Sequence, residues 1–211
     1  MEYDGTDFSG FQSQKDRRTV QGELERAVSQ VADRDRIVIH GSGRTDTGVH
    51  ALGQVIAFNM EWRHSEDDLL RAINACLPQD IVLRTLGLTS FDFNPRRSAK
   101  WRSYQYRIYN APIRSALHMR TSWHVKKELD LGALRSGAEC LVGEHDFASF
   151  GRSPDKIGHT TRTVSRLDWR EDKYSFIMEI VANAFLYRMV RSIVGTLYMV
   201  CLLYTSDAAD E

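Results

Sequence analysis

The feature that most constrains the fold of this chain is an apolar stretch near residue 190 that a single charge interrupts. From about residue 184 to residue 200 the spacing is helical, yet almost no polar face is left. A helix that is apolar nearly all round is expected to be buried. Arg191 lies in its middle, and a buried arginine needs a carboxylate partner. We therefore expect a paired Arg191, with a side chain that reaches the surface as the alternative. The apolar positions are Phe185, Leu186, Met189, Val190, Ile193, Val194 and Leu197.

The rest of the chain alternates between helical and strand periodicity. Thr19, Ser65 and Asp130 are candidate N-caps for helices over about 20–31, 66–77 and 131–142. Alternating or apolar runs predict strands at 36–40, 54–60, 81–86, 102–109, 164–170 and 174–181. Several neighbouring strands have short connections. This favours a mixed or antiparallel sheet with helices on one face, which is an α+β fold.

Charge is balanced over the whole chain but unevenly distributed. Lys plus Arg and Asp plus Glu both number 28, so the formal net charge is zero. That balance argues against nonspecific coating of nucleic acid. Residues 91–127, however, contain nine basic residues and only one acidic residue, Asp92. With the aromatic residues among them they can contact phosphates and stack on bases, or they can form the solvated basic face of a strand pair. Where the composition turns basic we place the boundary between two α/β subdomains, 1–95 and 96–200.

Cofactor and targeting signals are absent from the sequence. The three cysteines are far apart and form no C-x-x-C pair, which argues against a disulfide scaffold and a zinc site. His50, His145 and His159 show no metal-binding spacing. The glycine-bearing segment 41–48 matches neither the P-loop nor the dinucleotide fingerprint. We therefore expect no metal and no small-molecule cofactor. No signal peptide or long apolar run is present, so we expect a cytoplasmic protein that is not in a membrane.

The segment 41–48 places a carboxylate, Asp46, among three glycines. Glycines allow a sharp turn and the close approach of a large ligand. A carboxylate at such a place can act as nucleophile or general base. Arg44 can pair with it, contact a phosphate or stack in place of an extruded base. The alternative is a polar turn in which Asp46 binds nearby N–H groups, and the loop by itself favours that alternative.

Two tyrosines of the predicted strand 102–109 point to one face. Tyr104 and Tyr106 are two residues apart, so their side chains lie on the same side of the strand. Packing in the core is the usual reason for such a pair. Stacking on a nucleobase or proton transfer by a phenol is the other possibility.

Taken together, these segments resemble the TruA-type tRNA pseudouridine synthases. The resemblance covers residues 1 to about 200, and the segment around Asp46 is its most specific part. The matching segments are, in order, 2–6 with 8–12, 19–25, 43–51 with 53–55, 93–96, 102–106, 143–147 and 185–195.

The resemblance implies an activity and a site. The family has an α+β fold with a central, mostly antiparallel sheet, forms homodimers and needs no cofactor. Its members isomerise uridine to pseudouridine at positions 38–40 of the tRNA anticodon stem-loop. By resemblance, Asp46 attacks C1′ of the ribose or C6 of the base, Tyr104 is the active-site tyrosine and Arg191 pairs with Asp46. Arg44 supports the flipped-out nucleotide. The residues expected to bind RNA are Arg44, Thr45, His50, Arg96 and Arg102.

The last residues depart from the family pattern. Family members continue with a further helical region and a closing strand, so we expect a truncated chain in which residues 201–211 pack poorly. A catalytically impaired RNA-binding fragment of such an enzyme is therefore an alternative function. A third possibility, an unrelated hydrolase that uses Asp46, would need a metal or phosphate site that the sequence does not offer.

Overall fold

A computed structural model describes residues 1–153 and 158–207, without the side chains of residues 204–207. The chain forms two compact units, Met1–Ala99 and Lys100–Glu211. We predicted the boundary at residues 95 and 96. It lies a few residues later because the helix at Pro95–Ser98 contacts the strand His40–Gly41 and buries Pro95 within the first unit.

The first unit, in which every residue is described, is built from helices and two antiparallel strand pairs. Its elements are β1 (Glu2–Tyr3), α1 (Val20–Ala32), β2 (His40–Gly41), β3 (Ile56–Ala57), α2 (Glu66–Cys76), β4 (Ile81–Val82) and α3 (Pro95–Ser98). Strand β1 pairs with β4, and β2 pairs with β3. The core between helices and strands includes Phe8, Phe11, Leu24, Val28 and Ile73.

Local capping signals locate α1 and α2 correctly. The Thr19 side chain accepts a hydrogen bond from the backbone N–H of Gly22, and Ser65 accepts one from Asp68. The Asp68 carboxylate also accepts a hydrogen bond of 2.5 Å from the Ser65 hydroxyl. Both predicted helices are therefore confirmed, with ends within one residue of the prediction.

The strand predictions in this unit are too long. Strands were predicted at 36–40, 54–60 and 81–86, but the structure has only a two-residue strand at each place. For the strand predicted at 36–40 the reason is that Ile37 and Ile39 are buried like strand residues but bind side chains of α1. The N–H of Ile37 donates to the Ser29 hydroxyl (2.7 Å), and that of Ile39 donates to the Glu25 carboxylate (3.4 Å). These side chains replace a neighbouring strand.

The second unit contains one mixed sheet. Its described elements are β5 (Arg102–Asn110), β6 (Trp123–Val125), α4 (Leu131–Glu139), β7 (Gly143–Asp146), a 3₁₀ turn (Ala148–Phe150), β8 (Thr161–Asp172), β9 (Ser175–Ala182) and α5 (Met189–Asp207). The strand order is β6-β5-β9-β8-β7, parallel between β5 and β6 and antiparallel elsewhere. Helix α4 packs against α5 and β8. The predicted α+β class with a mostly antiparallel sheet is confirmed.

Two helices of this unit differ from their predicted limits. Asp130 caps α4 as predicted, but the helix ends at Glu139 and not at residue 142. Helix α5 begins at Met189, about five residues later than predicted. Arg188 has a left-handed φ of 63°, and Tyr187 forms a bridge with Arg152. Neither conformation belongs to a helix, so α5 cannot begin earlier.

The predicted burial of Arg191 is wrong. Helix α5 buries Met189, Ile193, Val194 and Leu197, but Arg191 is exposed. Burial therefore gives no reason for a carboxylate partner, and the pairing with Asp46 depends on the resemblance alone.

Residues 201–211 were predicted to pack poorly, and at Cys201 this prediction is wrong. This residue is fully buried, and the backbone N–H of Asp130 donates to its sulfur (3.3 Å). Poor packing is thus not found there, because α5 continues through Asp207 and keeps Cys201 against α4. Leu203 is 62% exposed. Residues 208–211 of the predicted tail lie outside the described residues. Among the described helices, none has the length and hydropathy needed to cross a membrane.

Candidate active site

The loop that carries Asp46 is held by the N-terminal segment of the first unit. The backbone N–H of Phe11 donates to the carbonyl of Thr45 (3.0 Å). The Tyr3 hydroxyl lies 2.7 Å from the Thr45 hydroxyl oxygen. Both bonds fix the residue directly before Asp46. The loop therefore has a defined position within its unit.

A tight turn follows the carboxylate. The N–H of Val49 donates to the carbonyl of Asp46 (3.1 Å), and Gly48 has a φ of 76°. A positive φ at the third residue is typical of a type II turn, in which glycine is favoured. Within the first unit, no N–H group donates to the Asp46 carboxylate, which is half-buried. The carboxylate is thus available for a ligand, unlike that of an ordinary polar turn.

Two glycines let the N-terminal segment approach this loop. A Cβ atom on Gly5 would lie 2.0 Å from the carbonyl oxygen of Val49. On Gly10, where φ is 90°, it would lie 2.8 Å from the carbonyl oxygen of Thr45. Side chains do not fit at either place, so the close contact of the two segments depends on glycine.

The predicted RNA-binding residues of the first unit differ in their exposure. Arg44 and Arg96 are exposed, and Arg96 lies on α3, which contacts β2 at the start of the loop. His50 is half-buried, and its Nδ1 accepts from the N–H of Gly5 (3.2 Å) and lies 3.0 Å from the Asp4 carboxylate. The side chains of Arg44 and Arg96 are therefore accessible to solvent. One nitrogen of His50 is already used within the fold.

The second unit brings Tyr104 together with an aromatic residue from the connection before α5. The Tyr104 ring meets the Phe185 ring edge to face, with centroids 4.8 Å apart. As predicted, Tyr104 and Tyr106 lie on the same face of β5, and both pack at the edge of the core. The Arg102 guanidinium donates to the carbonyl of Asn183 (2.8 Å). The beginning of β5 and the end of β9 are thereby joined.

Arg191 acts electrostatically on the same group of side chains. Burial raises the pKa of the Tyr106 phenol above its ordinary value of 10.0, and the positive charge of Arg191 offsets part of this increase. The charge of Arg191 therefore acts on the Tyr106 phenol within the second unit. An exposed cation whose charge acts on a half-buried tyrosine can also stabilise an anion or a developing negative charge.

The sequence predicted no functional role for Tyr3 or Phe185. Both belong to segments that match the family, but nothing in the local sequence shows that Tyr3 reaches Thr45 or that Phe185 meets Tyr104. The described residues include no cluster of three or more His, Cys, Asp or Glu that is arranged to hold a metal ion.

Known proteins resemble this chain over most of its length. A family model described as tRNA pseudouridine synthase matches residues 1–94 and 138–207. tRNA pseudouridine synthase A of Methylococcus capsulatus is 44% identical over 95% of this chain and 73% of its own length. The protein of that name from Buchnera aphidicola is 42% identical over 95% of this chain and 76% of its own length. The protein of that name from Fervidobacterium nodosum is 44% identical over 94% of this chain and 81% of its own length. The predicted resemblance is confirmed, and the chain belongs to the tRNA pseudouridine synthase family of isomerases.

Proposed function

We propose that this chain converts uridine to pseudouridine at positions 38–40 of the tRNA anticodon stem-loop, with Asp46 as the catalytic carboxylate. The observation that carries the proposal is the Asp46 carboxylate, which accepts no N–H group of its own unit although its loop is fixed on both sides. A fixed and unsatisfied carboxylate is suited to attack a bound substrate. As the resemblance implies, we expect a cytoplasmic homodimer that needs no cofactor.

The reaction requires one bond to break and another to form. The bond between N1 of uracil and C1′ of the ribose breaks, the base rotates, and C5 bonds to C1′. The proton on C5 is then lost, and N1 gains a proton. Asp46 makes a covalent bond to C1′ or to C6 of the base during this exchange and is released at the end.

The target nucleotide has to leave its stack before Asp46 can reach it. Unstacking costs a few kcal/mol, which contacts in the pocket have to offset. In the proposal Arg44 supports the flipped nucleotide, Tyr104 stacks on the base and Arg191 pairs with Asp46. The exposure of Arg44 and the aromatic contact of Tyr104 with Phe185 support the first two roles. The role of Arg191 depends on the resemblance.

Basic residues supply the remaining contacts with RNA in this proposal. Two of those in residues 91–127, Arg96 and Arg97, lie in the first unit, and the others lie in the second. Phosphate contacts of this kind make binding strongly dependent on salt. We therefore expect the affinity for tRNA to fall steeply as ionic strength rises.

Tritium release from labelled tRNA tests this function. The substrate is a tRNA transcript with tritium at C5 of uridine, compared with a transcript in which positions 38–40 carry cytidine. The proposal predicts release from the first transcript and none from the second. Tight binding without release would instead identify the impaired RNA-binding fragment. The proposal would be contradicted if the chain showed no binding and no release. It would also be contradicted if release did not depend on positions 38–40.

A further inference from the structure

Tyr3 links the loop that carries Asp46 to two other parts of the first unit. Its backbone pairs with Ile81 in β4. Its N–H donates to the carbonyl of Ala51 (2.9 Å), and its carbonyl accepts from the N–H of Ala51 (3.1 Å). The ring is only 4% exposed and belongs to the core of the unit. Tyr3 is therefore fixed at its backbone and at its ring.

The hydroxyl of this fixed ring meets the loop from inside the unit. It lies 2.7 Å from Oγ1 of Thr45, and either oxygen can donate. The main chain of Thr45 is held separately, by the N–H of Phe11 at 3.0 Å. Thr45 is thus bound through both its side chain and its backbone. Few conformations remain for Asp46, the next residue.

We propose that Tyr3 is a positioning residue, which holds the Asp46 carboxylate in its reactive place through the hydroxyl of Thr45. The inference builds on the proposed function of Asp46. Positioning matters for the rate because a reacting group has to be near its target in the ground state. A displacement of about 1 Å can lower a rate by roughly 100-fold. Tyr3 itself touches neither substrate nor reacting atoms.

Hydrogen exchange of loop amides tests the positioning without any need for activity. Tyr3→Phe keeps the buried ring and removes the hydroxyl. Exchange of the Phe11 and Val49 amides should become about fivefold faster, which corresponds to the loss of one hydrogen bond of ordinary strength. The control is the amide of Leu69 in α2, which donates to the carbonyl of Ser65. It should keep its wild-type rate. Unchanged loop amides, or equal acceleration at Leu69, would overturn the inference.

Kinetics of matched variants test the consequence for catalysis. Tyr3→Phe should lower kcat by about 10- to 100-fold with KM within about threefold. The double variant of Tyr3→Phe with Thr45→Val should have the same kcat as Thr45→Val alone, because both changes remove the same hydrogen bond. Ile73→Val removes one methyl group from the same core and should leave kcat unchanged.

The possible results separate this inference from the proposed function. A wild-type kcat in Tyr3→Phe, a change in KM alone, or an equal loss in Ile73→Val would overturn the positioning role. An inactive wild-type chain would contradict the proposed function, and the exchange of the Phe11 and Val49 amides would still decide whether Tyr3 holds the loop.

Discussion

Gly5 lies so close to Val49 that a Cβ atom on Gly5 would be 2.0 Å from the Val49 carbonyl oxygen. Real Cβ atoms do not come this near to an oxygen, so one of the two segments would have to move. Val49 closes the turn that begins at Asp46. The position of the loop that carries Asp46 therefore depends on a missing side chain more than forty residues away in sequence.

Replacing Gly5 with alanine should destabilise the first unit. The added methyl group overpacks the contact with Val49, which costs about 1–3 kcal/mol of unfolding free energy. Gly53→Ala is the matched control, because nothing lies within 4 Å of the added Cβ there. It should change the unfolding free energy by less than about 0.5 kcal/mol. Urea denaturation of both variants checks this, and equal stability of the two would contradict the close contact.

The pKa of Tyr106 should rise when the charge of Arg191 is removed. Burial already raises the pKa of this phenol above 10.0, and Arg191 partly offsets that shift. Arg191→Gln removes the offset, so ionisation should move to higher pH. NMR titration of the tyrosine ring carbons measures it. An unchanged pKa in the variant would mean that the Arg191 charge does not reach Tyr106.

The same shift predicts how stability depends on pH. The folded-state pKa of Tyr106 is raised, so folding favours the protonated, neutral phenol. This contribution to the unfolding free energy is complete below a pH of about 10, the ordinary pKa of tyrosine, and is lost as pH rises through the folded pKa. Tyr106→Phe should remove that part of the decline above pH 10, as measured by urea denaturation between pH 9 and 11.

Arg191 should matter for the chemical step more than for binding. If it supports the ionised Asp46, Arg191→Gln should lower kcat by roughly 100-fold, the order seen when one charge-stabilising group is removed. Arg188→Gln is the control, since Arg188 is another exposed cation and lies over the Tyr187 ring. It should keep kcat within about threefold of wild type. An effect on KM alone, or equal losses in both variants, would contradict the role of Arg191.

Local signals in the sequence predicted the longer elements of the fold. Helix α1 has its Thr19 cap, and β5, β8 and β9 are alternating or apolar runs, so each was located from neighbouring residues. The short length of β2 was not predicted in this way. The N–H of Ile37 donates to the distant Ser29 side chain and not to a neighbouring strand. A partner of that kind cannot be read from periodicity.

The candidate site was only partly predictable for a similar reason. Asp46 and Arg44 share one recognisable segment, whereas Tyr3 reaches Thr45 across 42 positions. Apolar spacing predicted a buried Arg191, but α5 also exposes Met199 and Leu203. Periodicity gives the amount of apolar surface on a helix. Tertiary packing decides which side of it is covered.

The most direct test of the account is the single-turnover rate of tritium release by Asp46→Asn. The amide has nearly the same size as the carboxylate but cannot act as the nucleophile. Asp35→Asn, which changes an exposed carboxylate outside the loop, is the control. With tRNA binding retained within about threefold, release by Asp46→Asn should be slower by roughly four orders of magnitude or more, while Asp35→Asn should keep the wild-type rate. Release at the wild-type rate by Asp46→Asn would contradict the account.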